Sequence, residues 1–246
     1  RSTRQLRLTP EGCAFFERAT RILADLEVAE QLASAGEEAV GRVRLNTSAS
    51  YATHVLAPVL PEFLEMHPGV KLDIVQTDTV IDLLTDRTDV AVRAGPLKNS
   101  SLTARKLGET AMIIVASPSY LERFGEPCYI ADLETHNCLG LGYERAADCW
   151  SFQENGESVV VCPTGRVVAS DGEALRQLAR AGVGLARLAH FTIRDDIAIG
   201  RLVRVLAQFA SDDREEFHAV YVGQGGPLPS RVRVLLDFLA RRGRVR

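Results

Sequence analysis

The chain has 246 residues, 46% of them hydrophobic and 25% charged, and a formal net charge of -3 at pH 7. It is long enough for one large domain or two small ones with a substantial core. The charge gives no support for nucleic-acid binding by the body of the chain. No apolar run approaches the roughly 20 residues of a membrane span and no signal peptide is visible, so we expect a cytoplasmic protein without a membrane partner.

The five cysteines are odd in number, and no two of them have the CxxC spacing of a metal site or redox motif. The five histidines are scattered, without an HExxH-like pair. These patterns predict a reduced protein with no structural metal and no cofactor. Two interpretations of the thiols stay open: buried inert cysteines, the commoner fate of a free Cys, or a redox-sensing pair drawn from Cys138, Cys149 and Cys162.

The first 41 residues predict a short basic stretch and then a long amphipathic helix. Thr9 is a good N-cap, and Pro10 occupies the first helical position, where its missing N–H is no loss. Apolar or small residues then recur at steps of four and three, which is the spacing of a coiled-coil seam. The seam residues are Phe15, Ala19, Ile22, Leu26, Ala29 and Ala33. This spacing predicts a helix that pairs with another helix and ends at the break between Gly36 and Gly41.

Strands and helices alternate in the next part of the chain. The helix after the first strand contains Pro58 and Pro61 near its start, where proline is best tolerated, and a short helix is predicted around 81–84. Strands are predicted at 42–46, 70–76, 89–93 and 111–116. This order is the signature of a parallel α/β sheet.

The pattern repeats more loosely towards the C-terminus. Helices are predicted at 118–124, 173–181, 191–199 and 230–241, the last with Ser230 as its N-cap. Strands are predicted at 138–141, 159–162, 166–169, 184–188 and 216–222. Two α/β units of about 100 residues each suggest a cleft between them, since such folds bind ligands where strands end and helices begin.

Several motifs, in their order along the chain, resemble the LysR-type transcriptional regulators. RSTRQLRLTPEG resembles the wing of the family's winged helix-turn-helix and the start of its linker helix. LAPVLPEFLEMHPGVKLDI resembles the opening of the effector domain. The other matching motifs are DVAVRAGPL, ASPSYLERFGEP, DLETHNCLG, GRVVASDGEALRQLARAGVGLARL and RVRVLLDFLARR. Their shared order and spacing carry the assignment.

The resemblance implies an α/β fold: a two-lobed, periplasmic-binding-protein-like (type II) effector domain preceded by a long linker helix. It also implies a homodimer, often assembled further into a homotetramer, and a hinge of two crossovers near Ala116 and Tyr221. The expected parts are a wing remnant at 1–8, a linker and dimerisation helix at 9–41, subdomain I at 42–116 with 222–246, and subdomain II at 117–221.

The elbow of Thr47, Ser48 and Ser50 lies between a predicted strand and a predicted helix. Free backbone N–H groups, hydroxyls and the helix dipole converge at such an elbow and can bind a carboxylate or phosphate. The alternative is a plain N-cap. The resemblance places effectors here, which favours ligand contact at Ser48 or Ser50.

Five further residues are candidates for the effector cleft, each with a structural alternative. Asp78 could accept from an effector amine or hydroxyl, or cap the following helix. Arg93 could clamp a carboxylate, or form a structural ion pair. Asp171 is favoured as an N-cap over a ligand contact. Tyr143 and Trp150 could form aromatic walls of the cleft, or pack in a core.

Arg1, Arg4 and Arg7 alternate with apolar residues, and a row of this kind on a wing can contact DNA phosphates. The alternative is an ordinary solvated face. The resemblance favours proximity to DNA in the intact protein only, because we expect the recognition helix to lie outside these residues.

We therefore expect a ligand-responsive bacterial-type transcriptional regulator that senses a small anionic or zwitterionic metabolite. Effector binding would change the angle between the subdomains and so the oligomer geometry. A transport-type solute-binding protein shares the fold, but the seam helix and basic leader argue against it. An enzyme is disfavoured because the sequence has no nucleophile–base motif, no metal-ligand spacing and no GxGxxG or P-loop.

Overall fold

The computed structural model describes most of the chain: residues 9–16, 18–19, 21–22, 39–78, 83, 87–95, 102–142, 149–162, 164–223 and 228–245. Several predictions lie outside these residues, namely those for the wing at 1–8 with Arg1, Arg4 and Arg7, for the seam residues Leu26, Ala29 and Ala33, for most of the short helix around 81–84, and for Tyr143. No helix in the described ranges is long and apolar enough to cross a lipid bilayer.

The N-terminal segment is helical, as its pattern predicts. Residues 10–16, 18–19 and 21–22 form helix α1, and the Gly12 N–H donates to Thr9 Oγ1 at 3.1 Å, which makes Thr9 the N-cap. Phe15 and Ile22 are 75% and 67% exposed in the single chain. The described turns therefore present large apolar side chains of the predicted seam to solvent.

The rest of the described chain contains both strands and helices. The strands are β1 (Gly41–Thr47), β2 (Val70–Gln76), β3 (Val90–Ala94), β4 (Leu102–Ala116), β5 (Gly140–Leu141), β6 (Trp150–Glu154), β7 (Glu157–Val161), β8 (Val168–Ala169), β9 (Ala186–Ala189), β10 (Val203–Arg204) and β11 (Arg214–Val222). The helices are α2 (Ala49–Tyr51), α3 (Ala57–Met66), α4 (Pro118–Phe124), α5 (Gly172–Arg180), α6 (His190–Ala198) and α7 (Ser230–Arg242).

One long strand joins the two lobes. β1 lies between β2 and β3 and is parallel to both, and β11 pairs antiparallel with β3 and with β4. Residues 102–111 of β4 pair with β11, whereas Met112 to Val115 pair with β9. The strand pairing thus changes at Met112 and at Arg214, several residues before the predicted crossovers at Ala116 and Tyr221. The difference arises because β4 continues unbroken from one lobe into the other.

The core of subdomain I lies between the sheet and helices α3 and α7. Val43 and Leu45 of β1 and Val90 and Val92 of β3 point into it, as the alternation of a strand with one face on a core requires. Phe63 on α3 meets the ring of Phe238 on α7 at 5.2 Å between centroids, and Leu235 and Leu239 of α7 belong to the same buried cluster. These contacts fix the helix that follows β1, and with it the end of the strand.

The helix that follows β1 is longer than the sequence suggests. α2 and α3 form one continuous helix from Ala49 to Met66, with the π-helical turn Ala52–Leu56 between them. Pro58 lies at the start of α3, as expected, but the expectation for Pro61 is wrong, because Pro61 lies inside α3. Pro58 and Pro61 both lack the N–H of an i→i−4 hydrogen bond, and the π turn directly precedes them.

Subdomain II contains two further clusters of buried residues, one on each side of its strands. One cluster includes Trp150, Phe152, Tyr120 and Leu133, and the other includes Leu139, Leu175, Leu188 and Ile193. Its parallel pair β5–β8 and its hairpin β6–β7 are short. The sequence pattern does not predict β6, and Ser230 is the first residue of α7 rather than its N-cap, which is Pro229.

The cysteines depart from the prediction of a fully reduced chain. In the hairpin, Trp150 pairs with Val161, so Cys149 and Cys162 lie directly opposite one another and form a disulfide. Cys138 is a free, buried thiol whose pKa burial raises to about 12, which suits an inert core residue. The prediction of reduced cysteines is therefore wrong for Cys149 and Cys162.

Candidate effector cleft

Three parallel strands end at the same edge of the sheet of subdomain I. Thr47 is the last residue of β1 and Ser48 follows it, Asp78 follows β2, and Arg93 is the penultimate residue of β3. The Thr77 N–H donates to the Thr47 carbonyl at 3.0 Å, which holds the ends of β1 and β2 side by side. The structure thus brings Thr47, Ser48, Asp78 and Arg93 to one edge, where ligands bind in folds of this type.

Ser48 forms the start of the helix at this edge. Its Oγ accepts from the Tyr51 N–H at 3.1 Å, and its φ of -67° and ψ of 153° are those of an N-cap. Thr47 is fully buried, and its hydroxyl has no hydrogen-bond partner within the described part of the chain. The elbow therefore combines a capped helix N-terminus, whose dipole favours anions, with an unused hydroxyl.

Helix α5 of subdomain II faces this elbow. Ser50 Oγ lies 3.1 Å from the position that a Cβ would take at Gly172, so the two helix starts approach closely. Asp171 is the N-cap of α5: its Oδ1 accepts from the Ala174 N–H at 2.8 Å, and its Oδ2 accepts from Ser170 Oγ at 3.1 Å. Two helix N-termini, one from each subdomain, therefore meet across the cleft.

A hydrogen bond joins the two helices directly. His54, in the π turn after α2, donates from Nε2 to Glu173 Oε2 in the first turn of α5 at 2.8 Å. Sequence reasoning missed both residues. Because they lie 119 positions apart in the chain, no local pattern signals the contact.

Arg93 and Trp150, which are also predicted for the cleft, differ in their surroundings. The Arg93 Nη1 donates to the Val92 carbonyl at 3.0 Å, and Arg93 lies opposite His218 in the β3–β11 ladder. Trp150 is 6% exposed and packs among the buried residues of subdomain II. The structure therefore corrects its assignment as a cleft wall, since burial of the indole in a core accounts for its position.

The LysR substrate binding domain matches residues 36–244 of this chain. The chain belongs to the LysR family of transcriptional regulators. It is 37% identical over 241 residues to the HTH-type transcriptional regulator CrgA of Neisseria meningitidis serogroup C (strain 8013), a match that covers 97% of this chain and 80% of that protein. It is 32% identical to the HTH-type transcriptional activator AaeR of Escherichia coli (strain K12), covering 97% of this chain and 77% of that protein.

The solved structures of LysR-type proteins agree with this membership. The structure of CrgA from Neisseria meningitidis superposes with a TM-score of 0.78 at 35% identity and covers 99% of this chain and 82% of that chain. Its regulatory domain alone gives a TM-score of 0.75 and covers 82% of this chain. The two-lobed effector-domain fold and the ligand-responsive LysR regulator expected from the motifs are both confirmed. CrgA and AaeR are transcriptional regulators rather than enzymes.

Proposed function

We propose that this LysR protein senses a small anionic or zwitterionic metabolite, bound between the elbow of subdomain I and the start of α5. The observation that carries the proposal is the close approach of two helix N-termini, which are capped by Ser48 and Asp171 and come together where Ser50 Oγ lies 3.1 Å from the position of a Cβ at Gly172. Both helix dipoles place partial positive charge at this point, and this favours a carboxylate or phosphate.

The other side chains at this edge suit the same class of ligand. The buried Thr47 hydroxyl can donate a hydrogen bond to an anionic oxygen. Arg93 can supply a guanidinium for bidentate binding of a carboxylate. Asp78 and Asp171 supply acceptors for an ammonium group, and this is why a zwitterion such as an amino acid fits as well as a simple acid.

The response to the effector follows from its position between the subdomains. A ligand that contacts both subdomains binds some relative orientations better than others and shifts the population towards those. In a cytoplasmic homodimer or homotetramer joined through α1, such a shift would alter the spacing of the DNA-binding heads. Phe15 and Ile22, exposed in the single chain, together with Ala19, support self-association through α1. Arg1, Arg4 and Arg7 are proposed to lie near DNA in the intact protein.

A thermal-shift screen against organic acids, amino acids and aromatic acids tests the proposal. A ligand present at 100 times its dissociation constant should add about 2.7 kcal/mol to the free energy of unfolding. The variant Arg93→Ala should lose most of that gain, because it removes the fixed cation of the site. Stabilisation by neutral or cationic compounds only, or a gain that survives in Arg93→Ala, would contradict the proposal.

A further inference from the structure

The contact between His54 and Glu173 is a specific polar link across the proposed effector cleft. Each side chain is mostly buried, with 17% and 18% of its surface exposed. His54 belongs to the helix that follows β1, and Glu173 belongs to the first turn of α5, so the bond joins subdomain I to subdomain II. The hydrogen bond is partly shielded from water, unlike exposed ion pairs, which contribute little to stability.

Glu173 is held in place from its own side of the cleft. Its second oxygen, Oε1, accepts from Arg176 at 2.7 Å and from Gln177 at 2.9 Å. Burial acts to raise the pKa of Glu173, but the hydrogen bonds from His54, Gln177 and Arg176 outweigh it and lower the pKa. Arg176 in turn contacts Asp196 of α6 at 2.6 Å, and Asp196 is 1% exposed. The carboxylate that His54 meets is therefore ionised and anchored to the interior of subdomain II.

His54 is also oriented by its surroundings. Its ring packs edge-on against Phe191 of α6, with 6.4 Å between the ring centroids. The close approach of Ser50 to Gly172 lies beside it and admits no larger residue without a shift of the neighbour. The bond thus forms only when the starts of the two helices are close together.

We propose that the bond from His54 to Glu173 is a latch that, while no effector is bound, holds the two subdomains in the orientation in which the starts of their helices are close together. The inference rests on the proposed binding of an effector in this cleft. An effector bound there would either break the hydrogen bond from His54 to Glu173 or leave it intact. His54 and Glu173 would then set the angle between the two subdomains, although neither residue belongs to the elbow of Thr47, Ser48 and Ser50.

Double electron–electron resonance on the ligand-free chain tests the latch. Nitroxide labels are placed at Arg233→Cys on α7 and Glu122→Cys on α4, both exposed positions in different subdomains. The exposed free thiols are removed as Cys13→Ser and Cys128→Ser. Excess unlabelled protein is added so that distances between protomers of an oligomer do not contribute.

Two single variants and their combination are compared with the labelled parent chain, which retains His54 and Glu173. His54→Phe keeps the ring against Phe191 but removes the donor, and Glu173→Gln keeps the volume but removes the charge. Each should raise the ratio of long-distance to short-distance populations about tenfold, the factor expected for losing a hydrogen bond to a charged group. The combined variant should add little, because one bond cannot be lost twice.

Glu62→Gln is the matched control. It removes a carboxylate that pairs with Arg242 at 2.7 Å within subdomain I, so its distance distribution should equal that of the parent. Unchanged distributions in His54→Phe and Glu173→Gln, or a parent already dominated by the long distance, would overturn the latch. If Glu173→Gln fails to fold, His54→Phe alone decides. The measurement needs no effector, so the latch can be confirmed or overturned even when the ligand screen fails.

Discussion

Replacing Asp196 with Asn should lower the free energy of unfolding of subdomain II by about 3 kcal/mol, the lower end of the range for removing one partner of a buried ion pair. The Asp196 side chain is 1% exposed and lies 2.6 Å from Arg176, 3.4 Å from Arg180 and 3.7 Å from Arg201. Arg180 and Arg201 are 27% and 56% exposed and can turn to solvent. Arg176 is only 12% exposed and would keep a single carboxylate partner, Glu173 at 2.7 Å, so the cost falls mainly on this partly compensated buried guanidinium.

The assay uses the tryptophan that the chain already contains. Trp150 is the only Trp in the sequence and packs in the core of subdomain II, so its fluorescence during urea denaturation reports on this lobe. The midpoint and slope of each curve give the free energy of unfolding.

The neighbouring residue provides the control for this prediction. Asp195 pairs with Arg194 at 3.1 Å, but their side chains are 83% and 67% exposed. Asp195→Asn should therefore stay within about 0.5 kcal/mol of the parent. If Asp196→Asn loses no more stability than Asp195→Asn, the reasoning from burial and charge is refuted.

Three further predictions concern the disulfide, the pH dependence and α1. The double variant Cys149→Ser with Cys162→Ser should lower the free energy of unfolding by about 3 kcal/mol, because the disulfide closes a loop of about 15 residues and so reduces the entropy of the unfolded chain. If urea denaturation shows no loss of stability, the bond does not form. Burial lowers the pKa of His136, so the unfolded chain binds more protons and stability should fall as the pH drops below about 6.5; His136→Gln should weaken this fall. Ile22→Asp should reduce self-association in light scattering, whereas Arg21→Asp, off the seam, should not.

Local signals explain how much of the fold could be predicted from the sequence. β2 and α4 lie at their predicted positions because alternation and the cap at Ser117 are local features. The hairpin turn also has a local signal, which the prediction did not use: Asn155 and Gly156 both have positive φ, as the Asn-Gly turn of a hairpin requires. The first half of β4 could not be predicted, because its exposed, charged residues become a strand only by pairing with β11.

The candidate site likewise has one part that local sequence signals predict and one part that they do not. The elbow at Ser48 and the cap at Asp171 are properties of a strand end or helix start and could be predicted from their own neighbourhoods. The contact between His54 and Glu173 depends on how two lobes meet, and no single segment encodes it. For Trp150 the sequence left both a cleft wall and a core open, because an aromatic side chain does not by itself distinguish the two, and the residue lies in the core.

Titration calorimetry with an anionic ligand from the thermal-shift screen, on the parent chain and on Ser48→Asp, tests whether an anion binds at the start of α2. Asp is as good an N-cap as Ser, so the helix should keep its start while a negative charge stands where the ligand's anionic group binds. The dissociation constant should rise at least about tenfold in Ser48→Asp, through repulsion between like charges. An unchanged dissociation constant would show that the effector binds elsewhere than at the elbow.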